Sequence, residues 1–155
     1  MMATHEHELS SPPKGERARE LWLQHAAGFI VFEDCRAHAI ERIDPKLNAK
    51  ARAAVIKGID DALYGLMMVA DGVSGCLAND SDEVSLSLIV RHSRKSARGE
   101  FKPVAELELA YGDGMCMAVH GWRAGDFGAN PPALIRARKP KTKAHSKPRA
   151  RKKRA

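Results

Sequence analysis

Cys116 and His120 are the pair in this chain best placed to do chemistry. A thiol and an imidazole four residues apart share one face of a helix, and such a pairing can give a thiolate nucleophile with its general base. On a strand the two also share a face, but they stand about 13 Å apart. Around them the segment Tyr111 to Gly128 gathers Asp113, Trp122, Arg123 and Asp126 among Gly112, Gly114, Gly121, Gly125 and Gly128. Functional side chains concentrate on loops of this kind. Structural roles explain the same residues more simply: glycines make turns, Trp122 anchors the segment, and Cys116 is buried. Asp113, His120, Trp122, Arg123 and Asp126 therefore stand as candidates for binding a partner, and no residue is assigned a catalytic role.

No other group carries a reaction. A metal site of Cys116, His120 and an aspartate lacks the paired ligand spacing that such sites use, so neither a metal nor a cofactor is expected. Asp80, Asp82 and Glu83 lack the order of a calcium loop and read as a charged loop. Asp60 and Asp61 are adjacent, so they point in different directions and make a poor acid–base pair; both are expected on the solvated side of a helix. His25 and His38 are too far apart for joint ligation. The chain has no His-Glu-x-x-His, no phosphate-binding Gly-x-x-x-x-Gly-Lys-Ser/Thr and no Gly-x-Ser-x-Gly.

The charge distribution is the strongest signal. Eleven of the 26 basic residues lie in the last twenty positions, as Arg136, Arg138, Lys139, Lys141, Lys143, Lys147, Arg149, Arg151, Lys152, Lys153 and Arg154, and no acid accompanies them. That leaves fifteen basic residues against all nineteen acidic ones in residues 1–135, a body of −4 carrying a tail of +11. Such a tail displaces condensed counterions from phosphates without fixed geometry. It has no aromatic residue on which a base could stack. Its composition is similar to the tails of linker histones and of basic nucleic-acid-binding proteins, which implies non-specific attraction to nucleic acid or another polyanion.

These residues must be positioned by about 120 others, enough for one independent core. Residues 1–15 read as a flexible leader, 16–135 as a single α+β domain and 136–155 as a disordered basic tail. Trp22, Ala26, Phe29, Phe32, Cys35, Ala39 and Ile43 recur at steps of three and four, which predicts a helix from about Gly15 to Ile43. Gly28 is its weak point, costing about 1 kcal/mol relative to Ala. Asp44-Pro45 ends it, and Asp44 can cap a second helix. That helix would bury Leu47, Ala51, Val55, Ile59, Ala62, Leu63 and Leu66 and end at Asp71-Gly72. With so short a connection the two should form a long antiparallel hairpin.

The period then changes. Val84, Leu86, Leu88 and Val90 alternate with Ser85, Ser87, Ile89 and Arg91, and Leu107, Leu109 and Tyr111 alternate with Glu106, Glu108 and Ala110. Two strands with one apolar face each are expected, paired antiparallel across a charged turn from Ser93 to Pro103. Met115 to Trp122 fits a third strand or a short helix capped by Asp113. Gly121 to Pro132 should be loop.

The run Ile59-Asp60-Asp61-Ala62-Leu63-Tyr64-Gly65-Leu66-Met67-Met68, with Asp71-Gly72-Val73 and two strands after it, resembles a pattern in small uncharacterised bacterial α+β proteins. Some of these resemble immunity proteins, so the resemblance implies a body that binds and neutralises a protein partner. It implies no active site.

The three cysteines are too few and too scattered for a disulfide framework, as expected of a cytoplasmic protein. No apolar stretch is long enough to span a bilayer, so no membrane partner is expected. The reading is a non-enzymatic binding protein: a helical hairpin on a small antiparallel sheet, drawn to nucleic acid by its tail. The alternatives are an immunity-like inhibitor of a protein and a small enzyme using Cys116 and His120.

Overall fold

The computed structural model describes residues 6–135. The eleven cationic positions of the tail and the first five residues lie outside them. The element order is β1 (His7–Leu9), α1 (Glu16–Val31), a π-helical turn (Phe32–Ala37), α2 (His38–Glu41), α3 (Ala49–Ala70), β2 (Cys76–Ala78), β3 (Glu83–Ser85), β4 (Ile89–Lys95), β5 (Phe101–Glu108), a 3-10 turn (Leu109–Tyr111), α4 (Met115–Arg123) and β6 (Ala133–Ile135). This is an α+β arrangement. Instead of one sheet, the described strands form three antiparallel pairs: β1 with β6, β2 with β3, and β4 with β5.

The first helical stretch runs where its periodicity places it, from Glu16 to Glu41 with the π-helical turn in its second half. Trp22, Leu23 and Ala26 are buried, whereas Cys35 is exposed. The second helix starts later than expected. Asp44 accepts from the backbone N–H of Lys46 (2.9 Å) in a local turn, and Asn48 is the cap, its Oδ1 accepting from Ala51 (2.9 Å). The buried face also differs. Asp60, Leu63, Met67 and Ala70 are buried, while Leu47, Val55 and Ala62 stay exposed. Only the second half of α3 packs on the core, so the apolar stripe of its first half has no partner there. Gly72 ends the helix as expected, in the left-handed region at φ +69°.

Direct contact between the two long helices is concentrated near their connection, where Arg36 reaches Asp60. Farther along, α4 packs against both. Trp122 of α4 lies directly on Gly28 of α1, where a methyl group would stand 2.5 Å from the indole. The weak point of the first helix is thus the place where the core needs no side chain. Phe32, Met67, Ala70, Leu109, Met115, Val119 and Trp122 form the central cluster.

Met115 to Arg123 is helical, and its cap comes from far away in sequence. Asp71 accepts from the backbone N–H groups of Met115 (2.6 Å) and Cys116 (2.8 Å). Asp113, the expected cap, instead pairs with Arg17. Part of the supposed leader is held as well. His7–Leu9 pairs in register with Ala133–Ile135, Ser10 N–H donates to Pro132 O (2.8 Å), and the Ser10 hydroxyl accepts from the Trp22 indole N–H (3.0 Å).

The strand expected from Val84 to Val90 is broken in two. β3 ends at Ser85 and β4 begins at Ile89. Val84 and Leu86 are exposed, and only Leu88 and Val90 pack on the core. The β4–β5 pairing is antiparallel, but it reaches beyond the expected turn boundaries, to Lys95 and Phe101.

Candidate nucleic-acid interface

Strands β4 and β5 form a ribbon with a buried base and an exposed tip. At the base, Val90 and Leu107 face one another in register and pack against the core. His92 is buried there, its ring edge-on to Trp22 at 5.6 Å between centroids. Burial pushes its pKa below the usual histidine range, helped by the nearby Arg94 and Arg19. The pairing then slips by one residue. His92 faces Ala105 while Ser93 faces Pro103, which leaves Val104 as a bulge. A bulge bends the strand and strengthens its twist, so it separates the packed base from the tip. Pro103 beside it presents no N–H to a further strand.

Beyond the bulge every side chain from Arg94 to Val104 except Ser96 is exposed. A five-residue turn closes the tip, with Ser96 N–H donating to Glu100 O (2.7 Å), Gly99 N–H donating to Ser96 O (2.9 Å), and Gly99 at φ +86°. Four cations sit here, Arg94, Lys95, Arg98 and Lys102, against the single acid Glu100. Arg91, nearer the base, is paired with Glu106 across the ribbon at 2.5 Å. Among the described residues none of the four tip cations is held in an ion pair.

The register places these groups on defined sides. Arg94 faces Lys102, so two positive charges stand directly opposite one another. Like charges in that position destabilise a sheet. Lys95 faces Phe101, and successive residues of a strand point to opposite sides, so this pair occupies the other face. Phe101 is 72 % exposed. One face of the tip is therefore doubly cationic, and the other carries one cation beside an open aromatic ring.

The five candidates from the Tyr111–Gly128 segment are not brought together as one site. Trp122 is 2 % exposed and donates its indole N–H to His25 Nδ1 (2.9 Å), which makes it a core anchor with no surface to offer a partner. Asp113 is paired with Arg17, and Asp126 accepts from Gly128 N–H (2.9 Å) to close a turn. His120 and Arg123 do converge, in a cleft of about 290 Å³ shared with Asp60, Asp61, Tyr64 and Val119. Asp60 lies beneath it, contrary to the solvated position expected. It accepts from Arg36 (2.6 Å) and forms an ion pair with Arg123 (3.1 Å), so its charge is already matched by two guanidinium groups. The π-helical turn that carries Arg36 aims it at this carboxylate.

Cys116 is partly buried. Burial, then its hydrogen bond to and the charge of Asp71, push its thiol up to about 11, so the thiolate is scarce at neutral pH. The Tyr64 ring lies 6.2 Å from that of His120, between centroids. Among the described residues no three His, Cys, Asp or Glu side chains are grouped to hold a metal ion, and no helix is long and apolar enough to cross a membrane.

No family model matches the chain, and no curated protein or solved structure matches it either. The ribbon tip is thus read from its own chemistry. Its cations are visible in the sequence as the charge within Ser93–Pro103, but a turn of that length gives no reason to pair Arg94 with Lys102. The pairing emerges only once the strands are seen to continue to Lys95 and from Phe101.

Proposed function

We propose that this chain is a non-enzymatic nucleic-acid-binding protein, with the β4–β5 tip as its folded contact and the basic tail as an added electrostatic attraction. The observation that carries this reading is the facing of Arg94 and Lys102 on an exposed ribbon whose other cations, Lys95 and Arg98, are also without ion pairs among the described residues. A single lysine is enough to blunt a sheet edge against aggregation. Four cations with one acid between them exceed that need and cost stability, a cost that a phosphate between Arg94 and Lys102 offsets. The body as a whole carries −4, so this local cluster runs against the charge of the domain around it.

The test is fluorescence anisotropy of the full chain with labelled nucleic acid across a salt series. If all four tip cations meet phosphates of a duplex, they contribute about −3.6 to the slope of log K against log salt. Removing the residues after Ile135 should lower affinity and leave a salt-dependent remainder. A truncated chain with no affinity would confine binding to the tail and remove the ribbon from the account.

A second reading, a body that binds a protein in the manner of an immunity protein, is favoured by one observation. The β2–β3 hairpin exposes all six of its residues, with Leu77 at 79 % and Val84 at 70 %. An isolated two-stranded hairpin is marginal in water. Inhibition of a protein partner that survives tail removal but is lost in Leu77→Lys would support that reading.

A further inference from the structure

We infer that the ribbon tip takes single-stranded nucleic acid, with Phe101 as a stacking platform for one unpaired base and Lys95 beside it on the flanking phosphate. This rests on the nucleic-acid reading above and names the form of the ligand. Phe101 and Lys95 are direct cross-strand partners. Such partners have their Cβ atoms about 4.5–5.5 Å apart, so the two side chains leave the ribbon from neighbouring points on one face. The ring is mostly exposed and has no aromatic neighbour among the described residues.

An exposed phenyl ring gains nothing from the phosphates of a duplex, whose bases are already stacked on one another. An unpaired base has a free face, and stacking on an aromatic side chain tolerates any base identity. The opposite face, with Arg94 and Lys102, suits the backbone before or after that base as the strand wraps the narrow ribbon. The tail lacks any aromatic, so Phe101 supplies the preference for unpaired bases that the tail cannot. A membrane surface also attracts cations beside an aromatic ring. Here Phe101 stands alone between the charged Glu100 and Lys102, and inserting it into a bilayer interface would carry both charges toward the apolar layer.

The experiment compares the full chain with Phe101→Ala, Phe101→Trp and the Arg94→Gln/Lys102→Gln double variant. The probes are labelled oligothymidylate and oligouridylate of about 16 nucleotides, a mixed-sequence duplex of equal length, and anionic phospholipid vesicles. Phe101→Ala should weaken binding of both single strands about 5- to 100-fold and leave duplex affinity within about twofold, while Phe101→Trp restores binding with quenched indole fluorescence. The double variant should weaken every nucleic-acid probe. Similar losses on the two oligomers place recognition at the base and phosphate, and a loss confined to one of them assigns the ligand to DNA or to RNA. Single-strand affinity untouched by Phe101→Ala, or an equal loss on the duplex, overturns this inference and leaves the nucleic-acid reading standing. Wild-type chain that binds vesicles but no oligonucleotide overturns both.

Discussion

Arg94 and Lys102 face each other across the β4–β5 ribbon, two cations held in register on strands whose neighbours are also basic. That pairing opposes the fold it belongs to, and it yields a prediction with two opposite readouts. Lys102→Glu converts a repulsive cross-strand pair into an attractive one. Thermal or urea denaturation should show the variant more stable by about 0.5 kcal/mol, at the modest scale of exposed pairs. The same variant should lose nucleic-acid affinity. Stability and binding falling together would mean that Lys102 serves the fold alone.

Gly28 and Gly58 make a controlled comparison within two helices. Alanine in a helix interior is worth up to about 1 kcal/mol over glycine. Nothing lies within 4 Å of a side chain added at Gly58, so Gly58→Ala should stabilise by about that amount. At Gly28 the added methyl meets the Trp122 indole at 2.5 Å. Gly28→Ala should therefore destabilise by about 1–3 kcal/mol, the range for overpacking a filled core. Equal effects at the two sites in a denaturant titration would contradict the Trp122 packing.

Trp122 also ties stability to pH. Its indole N–H donates to His25 Nδ1, which must be unprotonated to accept. Burial lowers the His25 pKa in the folded chain, as it does for His92. The unfolded chain therefore takes up these protons first, near pH 6.5, and stability rises with pH through that window. Denaturation midpoints should be flat above about pH 7.5 and fall as the pH drops from 7 toward 5.5. The fall should be smaller in His25→Gln, which keeps an acceptor and does not titrate. A midpoint that climbs on acidification would contradict the buried neutral imidazole.

The thiols should separate by reactivity. At pH 8 a thiol with a pKa of about 11 is only about 0.1 % thiolate. Cys35 is exposed and Cys116 is partly buried. Alkylation followed by mass spectrometry should label Cys35 well before Cys116. Fast labelling of Cys116 would revive the enzyme alternative that pairs it with His120.

Asp60 is the buried charge on which the cleft depends. Arg36 and Arg123 both close on it. Asp60→Ala leaves Arg36 half-buried without its partner and should cost about 2–4 kcal/mol, somewhat under the full range for a broken buried pair because Arg36 keeps some contact with water. Denaturation of Asp60→Ala with and without Arg36→Met measures the coupling. Purely additive losses would mean that the pair is not linked.

What was legible in the sequence was local. The end of the first helix at Asp44-Pro45, the Gly72 terminus and the change of period after it each depend on residues next to one another. What was not legible depended on distant partners. Asp71 caps a helix 44 residues away, a role that neighbouring Asp113 was better placed to fill by spacing alone. The apolar stripe of α3 gives no sign that only its second half meets a core, because the packing helix α4 is contributed from beyond the ribbon. Asp60 is buried because two arginines from separate elements reach it, and no spacing rule brings Arg36 and Arg123 to one carboxylate. The tip was hidden for a related reason. Charge and glycine between Ser93 and Pro103 mark a turn, and only the pairing of Lys95 with Phe101 turns that charge into an ordered surface.

The most direct measurement is the salt dependence of single-strand binding by the full chain and by its Arg94→Gln/Lys102→Gln variant. If the ribbon is the interface, losing two phosphate contacts should make the slope of log K against log salt shallower by about 1.4 and lower the affinity at every salt concentration. An unchanged slope and affinity would assign all binding to the tail and contradict the account.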